Sequence, residues 1–230
     1  MALASNALTT LQDVKLELGI ASTDVSNDRY LTMLINAVSS QIEVFLQRTL
    51  GKVTGYEETI PGYGNYKIRV SRTPVLSVTS VELMQIATPA IYYPFDISEI
   101  IIENANAGIL YYPAGWPWTA PLTQTIKPDP ISGQEWPSVK VTYDGGYDLP
   151  ASANPTLPAD IERAATIAVS SDYRMRGRDR TVKSEDLMSY KVTYEKTGLG
   201  EATLHNLYPA SSFPQEVIQM LVPHRHIPGA

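Results

Sequence analysis

The side chains best suited to acid–base chemistry are three histidines, His205, His224 and His226, all in or beside loops at the C-terminal end. A general base must be held within reach of its substrate by a packed surround, which a tail does not offer. A Ser-His-Asp arrangement needs a histidine in the body of the fold, and none lies there. His224 and His226 have the His-x-His spacing of a chelate, but two ligands without a third make a weak metal site. Solvated or interface histidines are the better reading. The chain has no cysteine, which removes disulfides, thiol catalysis and thiolate metal sites together. Gly62-Tyr63-Gly64 and Gly198-Leu199-Gly200 resemble pieces of phosphate loops. Neither follows a strand and opens a helix with the required third glycine or lysine, so both read as turns. Asp144 and Asp148 flank Gly145-Gly146-Tyr147, but their spacing does not match the ligand positions of an EF-hand. No catalytic residue, metal ligand or cofactor site is expected, and the chain reads as a non-enzyme.

One charge feature stands apart. Arg174, Arg176, Arg178, Arg180 and Lys183 run together with a single acid, Asp179, among them, in a chain of net charge −6. Arginines at a helix C-terminus are favoured by the dipole and solvated beyond it. The run also fits a basic docking patch for an acidic partner surface or for the DNA backbone. The overall charge argues against a sequence-reading nucleic-acid binder, which needs a basic face.

The elements that would position these residues follow from periodicity. The 230 residues, 43% hydrophobic and 18% charged, suffice for a sizeable core. No stretch approaches the ~20 apolar residues of a membrane span. Met1-Ala2-Leu3-Ala4-Ser5 lacks the basic start and apolar core of a signal peptide, so a soluble protein made in the cytosol is expected. Thr9 with Gln12 forms a capping-box pattern for a short helix carrying Val14, Leu16 and Leu18, stopped at Gly19. Ser26 is placed to cap a long helix from about Asn27 to Leu50, ended by Gly51. Its apolar stripe is Leu31, Leu34, Ile35, Val38, Ile42, Phe45 and Leu46.

The period then changes to 2. Tyr66, Ile68 and Val70 alternate with Lys67 and Arg69, and Val75–Leu83, Ile97–Glu103, Ile109–Tyr112 and Val139–Tyr143 read as further strands. Short strands separated by turn signals argue a mainly antiparallel module. The interval from Pro113 to Pro137 holds six prolines and all three tryptophans, Trp116, Trp118 and Trp136. Such a loop either covers the open face of the small sheet or forms a binding surface.

Helix returns at Pro158, with Asp160 at the positive end of its dipole. Ile161, Ala164, Ala165, Ala168 and Val169 form a narrow stripe that lets the long helix approach closely. Tyr190, Val192 and Tyr194 alternate in a strand that is far in sequence from the β module. A strand so placed needs backbone partners, and a neighbouring copy is one source of them, making it a candidate inter-subunit strand. A last short helix, with Ser212 and Gln215 at box positions, carries Val217, Ile218 and Leu221. It precedes an extended tail, Pro223-His224-Arg225-His226. Too short to be stable alone, this helix needs a partner.

The fold class expected is α+β: a helical bundle of one long helix and two or three shorter ones, an inserted small antiparallel β module, and an extended C-terminal arm. The boundaries are residues 1–52 and 155–182 for the helical core, 53–150 for the β module, and 183–230 for the strand and C-terminal docking helix.

The order of these parts resembles the head–tail connector (adaptor) proteins of tailed bacteriophages, the larger variety with a β-rich insertion. The resemblance rests on Thr10-Leu11-Gln12-Asp13-Val14-Lys15, Ile42-Glu43-Val44-Phe45-Leu46, Arg72-Thr73-Pro74-Val75-Leu76-Ser77-Val78-Thr79-Ser80-Val81 and Gly115-Trp116-Pro117. It continues in Val139-Lys140-Val141-Thr142-Tyr143, Gly146-Tyr147, Pro158-Ala159-Asp160-Ile161 and the close from Phe213-Pro214 to Leu221-Val222-Pro223-His224-Arg225. The sequence departs from the family at His224, where Tyr is frequent, and in its long Trp/Pro loop. The resemblance implies a virion protein of the neck, assembled in the host cytoplasm into a homo-oligomeric ring, typically of twelve. Such a ring docks on the portal protein, extends the DNA channel and receives the next neck or tail-completion protein. Packaged DNA would pass through its lumen without sequence-specific binding, and no membrane is involved. The portal-docking candidates are Phe213, Val217, Ile218, Leu221, Pro223, His224 and Arg225. The alternatives are a tail-completion or baseplate subunit and a β-rich carbohydrate-binding module using Trp116, Trp118 and Trp136.

Overall fold

The computed structural model describes residues 2–61, 64–85, 91–116, 138–176, 184–187, 190–193 and 213–225. The helices are α1 (Leu11–Leu18), α2 (Asp28–Leu46), α3 (Ala159–Arg174) and α4 (Gln215–Leu221). The strands are β1 (Val53–Pro61), β2 (Lys67–Arg69), β3 (Val75–Gln85), β4 (Ile91–Pro94), β5 (Ile101–Asn104), β6 (Ile109–Tyr111), β7 (Ser138–Gly145), β8 (Ser184–Leu187) and β9 (Tyr190–Thr193). Helices and antiparallel sheets make the fold α+β. The chain divides into two compact units, residues 1–49 with 148–230, and residues 50–147.

In the first unit, α1 starts one residue later than the capping-box pattern predicts. Thr10, not Thr9, is the N-cap, its hydroxyl accepting the Asp13 N–H at 3.2 Å. Thr9 is buried, and its hydroxyl is shared with that of Thr166 on α3 at 2.8 Å. That tertiary partner takes Thr9 out of the cap. Gly19 ends the helix at φ 69°, as expected.

Helix α2 is shorter than its apolar period suggests. Asn27 stands at the N-cap without a side-chain capping bond, and Gln47 at φ 55° ends the helix before Gly51. Its 19 residues span about 28 Å. Leu31, Ile35, Val38, Ile42 and Leu46 are fully buried, with Leu34 and Phe45 half-buried beside them. On α3 the stripe Ile161, Ala164, Ala165, Ala168 and Val169 is buried, and α3 packs against α1, α2 and α4. Lys15, only 5% exposed, reaches the Asp28 carboxylate at 2.5 Å and so ties the end of α1 to the start of α2.

The second unit holds two antiparallel sheets, ordered β1-β7-β3-β4 and β2-β6-β5. Ile68, Val70, Val81, Leu83, Leu110, Val139, Val141 and Tyr143 build their common core. Strands β1 and β4 are additions to the sequence reading. The expected strand Ile97–Glu103 is divided, because Asp96 accepts from the Ser98 N–H at 2.9 Å and closes a 3₁₀ turn over Ile97–Glu99 before β5 begins. Where β7 ends, Gly146 has φ 102°, and a Cβ there would stand 2.6 Å from the Gly51 carbonyl, so only glycine fits.

Candidate interaction surfaces

The C-terminal segment was expected to be a docking helix, and its apolar face is instead committed to its own unit. Phe213, Val217, Ile218 and Leu221 are buried, and α4 packs on α3. Phe213 meets the edge of Phe45 with ring centroids 6.2 Å apart. The physical reason is the one that made the helix look dependent. Seven residues cannot hold helical form in water, so the apolar face buries against the nearest groove. Pro214 stands at the N-cap with no side-chain bond, and Ser212 lies outside the described residues. Beyond α4 the chain does not extend at once, since Val222–His224 form a 3₁₀ turn. Pro223 is exposed, while His224 and Arg225 are half-buried. The His224 Nε2 lies 2.5 Å from the Asp160 carboxylate, which pins the turn to the first turn of α3. The Arg225 guanidinium lies over Phe45 at 5.8 Å.

Of the basic run, Arg174 and Arg176 are described and both turn back on their own unit. Arg174 donates to the Glu17 carbonyl at 3.3 Å. Arg176 donates to the Asn27 side-chain carbonyl at 3.1 Å and lies over the Tyr30 ring at 4.6 Å. Arg178, Arg180 and Lys183 lie outside the described residues. The strand of Tyr190 and Val192 is β9, and it finds a backbone partner in its own chain. β8 pairs with it antiparallel, from Ser184 opposite Thr193 to Leu187 opposite Tyr190. One edge of β9 is thus partnered from within the chain. Tyr194 lies outside the described residues.

Trp116 is a core residue, 1% exposed, with its ring 5.8 Å from Phe95 and 5.3 Å from Tyr112. It therefore covers the sheet and offers no open stacking face. Trp118, Trp136, His205, His226 and the Gly198–Gly200 turn lie outside the described residues, as do Gly62 and Tyr63. Asp144 spends its carboxylate on its own sheet, accepting from the Gly55 N–H at 2.7 Å and the Ser77 hydroxyl at 3.1 Å. Among the described residues no group of three or more His, Cys, Asp or Glu is placed to hold a metal ion.

Two features were missed in the sequence. The buried Tyr143 phenol donates to Glu58 at 2.7 Å and accepts the Arg72 N–H at 2.9 Å. Burial, above all, pushes its pKa up, so it stays a neutral donor. Glu58 sits at an inward position of a strand that reads as polar, which hid both the strand and the bond. The second is a groove of about 380 Å³ in the first unit, lined by Glu17, Ile167, Ser170, Arg174, Met175 and Pro214 among others. Among the described residues the Ser170 hydroxyl, buried there, has no hydrogen-bond partner.

Residues 8–105 match the model of the phage gp6-like head-tail connector protein family. A comparison with curated proteins finds no match. Among solved structures, a chain from the neck of an empty gene transfer agent particle, solved with sixfold symmetry, is 16% identical. It is covered over 96% of its length against 100% of this chain, with a TM-score of 0.53. Chains from the neck of the native particle with twelvefold symmetry and from its virion are likewise 16% identical with the same coverage, at a TM-score of 0.51. At that identity the likeness establishes a shared fold. Residues 8–105, which carry α1, α2 and the strands through β5, thus resemble the phage gp6-like head-tail connector family, in a fold shared with chains of these necks.

Proposed function

We propose that the chain is a structural subunit of the neck of a phage-like virion, a ring-forming head–tail connector. In this reading it docks on the portal, extends the DNA channel and offers the attachment surface for the next neck or tail-completion protein. The observation that carries the reading is the family match over residues 8–105, joined to a fold shared along the whole chain with chains of particle necks. The twelvefold symmetry of one of those necks supports a dodecamer. The helical bundle forms the ring body, and the role asks for contacts in place of catalysis. A net charge of −6 per subunit lets DNA pass without adhering.

The buried face of α4 anchors the C-terminal segment, and Pro223, His224 and Arg225 present the portal contact. Arg178, Arg180 and Lys183 continue the basic run as a docking patch for an acidic partner, and the edge of β9 away from β8 is offered to a neighbouring copy.

The test is imaging and native mass measurement of the full chain with portal-bearing heads. Twelve copies bound at the portal vertex are expected. A chain that stays monomeric and never binds such heads refutes the reading. Replacing Arg225 by Glu is expected to weaken docking, judged by co-sedimentation, with the circular dichroism unchanged.

A further inference from the structure

The three most exposed large apolar side chains among the described residues are Leu16 at 79%, Val44 at 77% and Val25 at 71%, all in the first unit. They fall into two patches. Lys15 reaches both the Ser22 carbonyl and Asp28, which holds the end of α1, and so Leu16, beside the loop that carries Val25. Val44 lies near the other end of α2. Sixteen residues of helix separate it from Asp28, about 24 Å at the helical rise.

The solvent face leading to Val44 is uncharged. Its exposed positions are Met33, Ala37, Ser40, Gln41 and Val44. Glu43 is the one charged residue between Arg29 and Arg48 in the sequence, and Asn6 donates to its carboxylate at 2.8 Å. Copies that each carry a net charge of −6 repel one another, so a second copy is least opposed on this uncharged α2 face, whereas the Leu16–Val25 end, beside the exposed Asp24, is opposed to a copy of itself. A contact that uses one patch twice closes as a dimer, whereas a ring needs two different patches on each subunit. The related necks have sixfold and twelvefold symmetry.

We infer that a second copy of this chain is the occupant of both patches. The Leu16–Val25 end of one subunit packs on the Val44 face of α2 in the next, head to tail. The inference rests on the ring reading above and assigns the surfaces that close the ring.

The chain has no cysteine, so introduced thiols report without background. The experiment oxidises the full-length Val25→Cys/Val44→Cys double variant and each single variant, and resolves the products on a non-reducing gel. Within one chain the two positions are separated by at least about 14 Å, allowing the loop its full extension. A disulfide spans no more than about 7 Å between Cα atoms, so an intrachain bond cannot form. A ladder beyond the dimer from the double variant is expected, with each single variant staying monomeric and the ladder lost on adding Leu16→Asp. Dimers alone from the double variant, or dimers from either single variant, overturn the inference. Rings of the wild-type chain by native mass, with no ladder from the double variant, overturn this inference and leave the connector reading standing. A wild-type chain that forms no oligomer alone or on portal-bearing heads overturns both.

Discussion

Truncating Leu221 to Ala isolates what holds the C-terminal helix in place. Leu221 is fully buried, on a helix of seven residues that has no side-chain cap. Its hold comes from four apolar side chains, Phe213, Val217, Ile218 and Leu221. Fully burying such a side chain contributes about 1.5–3 kcal/mol, so the set supplies roughly 6–12 kcal/mol as an upper bound. Leu221→Ala removes one member and leaves a cavity, and buried Leu→Ala changes cost about 2–5 kcal/mol. With a urea dependence of about 2 kcal/mol per molar, the transition that reports the helical unit moves down by roughly 1–2.5 M. The assay is urea unfolding followed by circular dichroism at the helical band. Gln12→Ala, at an exposed position of α1, serves as the control and is expected to change stability by less than about 0.5 kcal/mol. A shift for Leu221→Ala no larger than that of the control would refute the packed placement of α4. It would also return the helix to the role of a free docking element. The same reasoning predicts that cutting the chain before Phe213 unfolds the helical unit, because the cut removes core and not only tail.

Tyr143→Phe strands the Arg72 N–H and removes the donor to Glu58, and is expected to destabilise the β unit by about 1–3 kcal/mol in thermal or urea unfolding. An unchanged midpoint would count against that buried bond. Ser170→Ala removes a buried hydroxyl that has no partner among the described residues and adds helix propensity, so a gain of about 1 kcal/mol is expected, read as a raised midpoint. Glu162 is held above its ordinary pKa of 4.5, first by burial and second by the charge of Asp13. An acid whose folded pKa is raised binds protons more tightly folded than unfolded, so its contribution is present at low pH and is lost as pH rises from about 4.5 through the folded value. Glu162→Gln is therefore expected to leave the midpoint unchanged below that window and to raise it at pH 7. Equal effects at pH 4 and pH 7 would sink the assignment.

What the sequence alone determined was the part governed by local period. The stripe from Leu31 to Leu46 had to be one face of a helix, and the small residues from Ala164 to Ala168 had to be a close-packing face. The alternations at Ile68, Val81, Val139 and Val141 had to be half-buried strands. Each follows from side-chain geometry at 3.6 or 2 residues per turn, which needs no knowledge of the partner. The order of motifs carried the connector resemblance for the same reason.

Tertiary structure decided everything that turns on which partner is nearest. Thr9 gave up the cap because Thr166 stands opposite it, and β1 pairs with β7 while the Tyr143 phenol satisfies its inward Glu58. Most of all, the period of Val217, Ile218 and Leu221 announced a helix that must bury its face. Only the packed fold shows that the face belongs to α3 of the same chain. An apolar stripe specifies how much surface must leave water but not against what, because the hydrophobic effect has no direction.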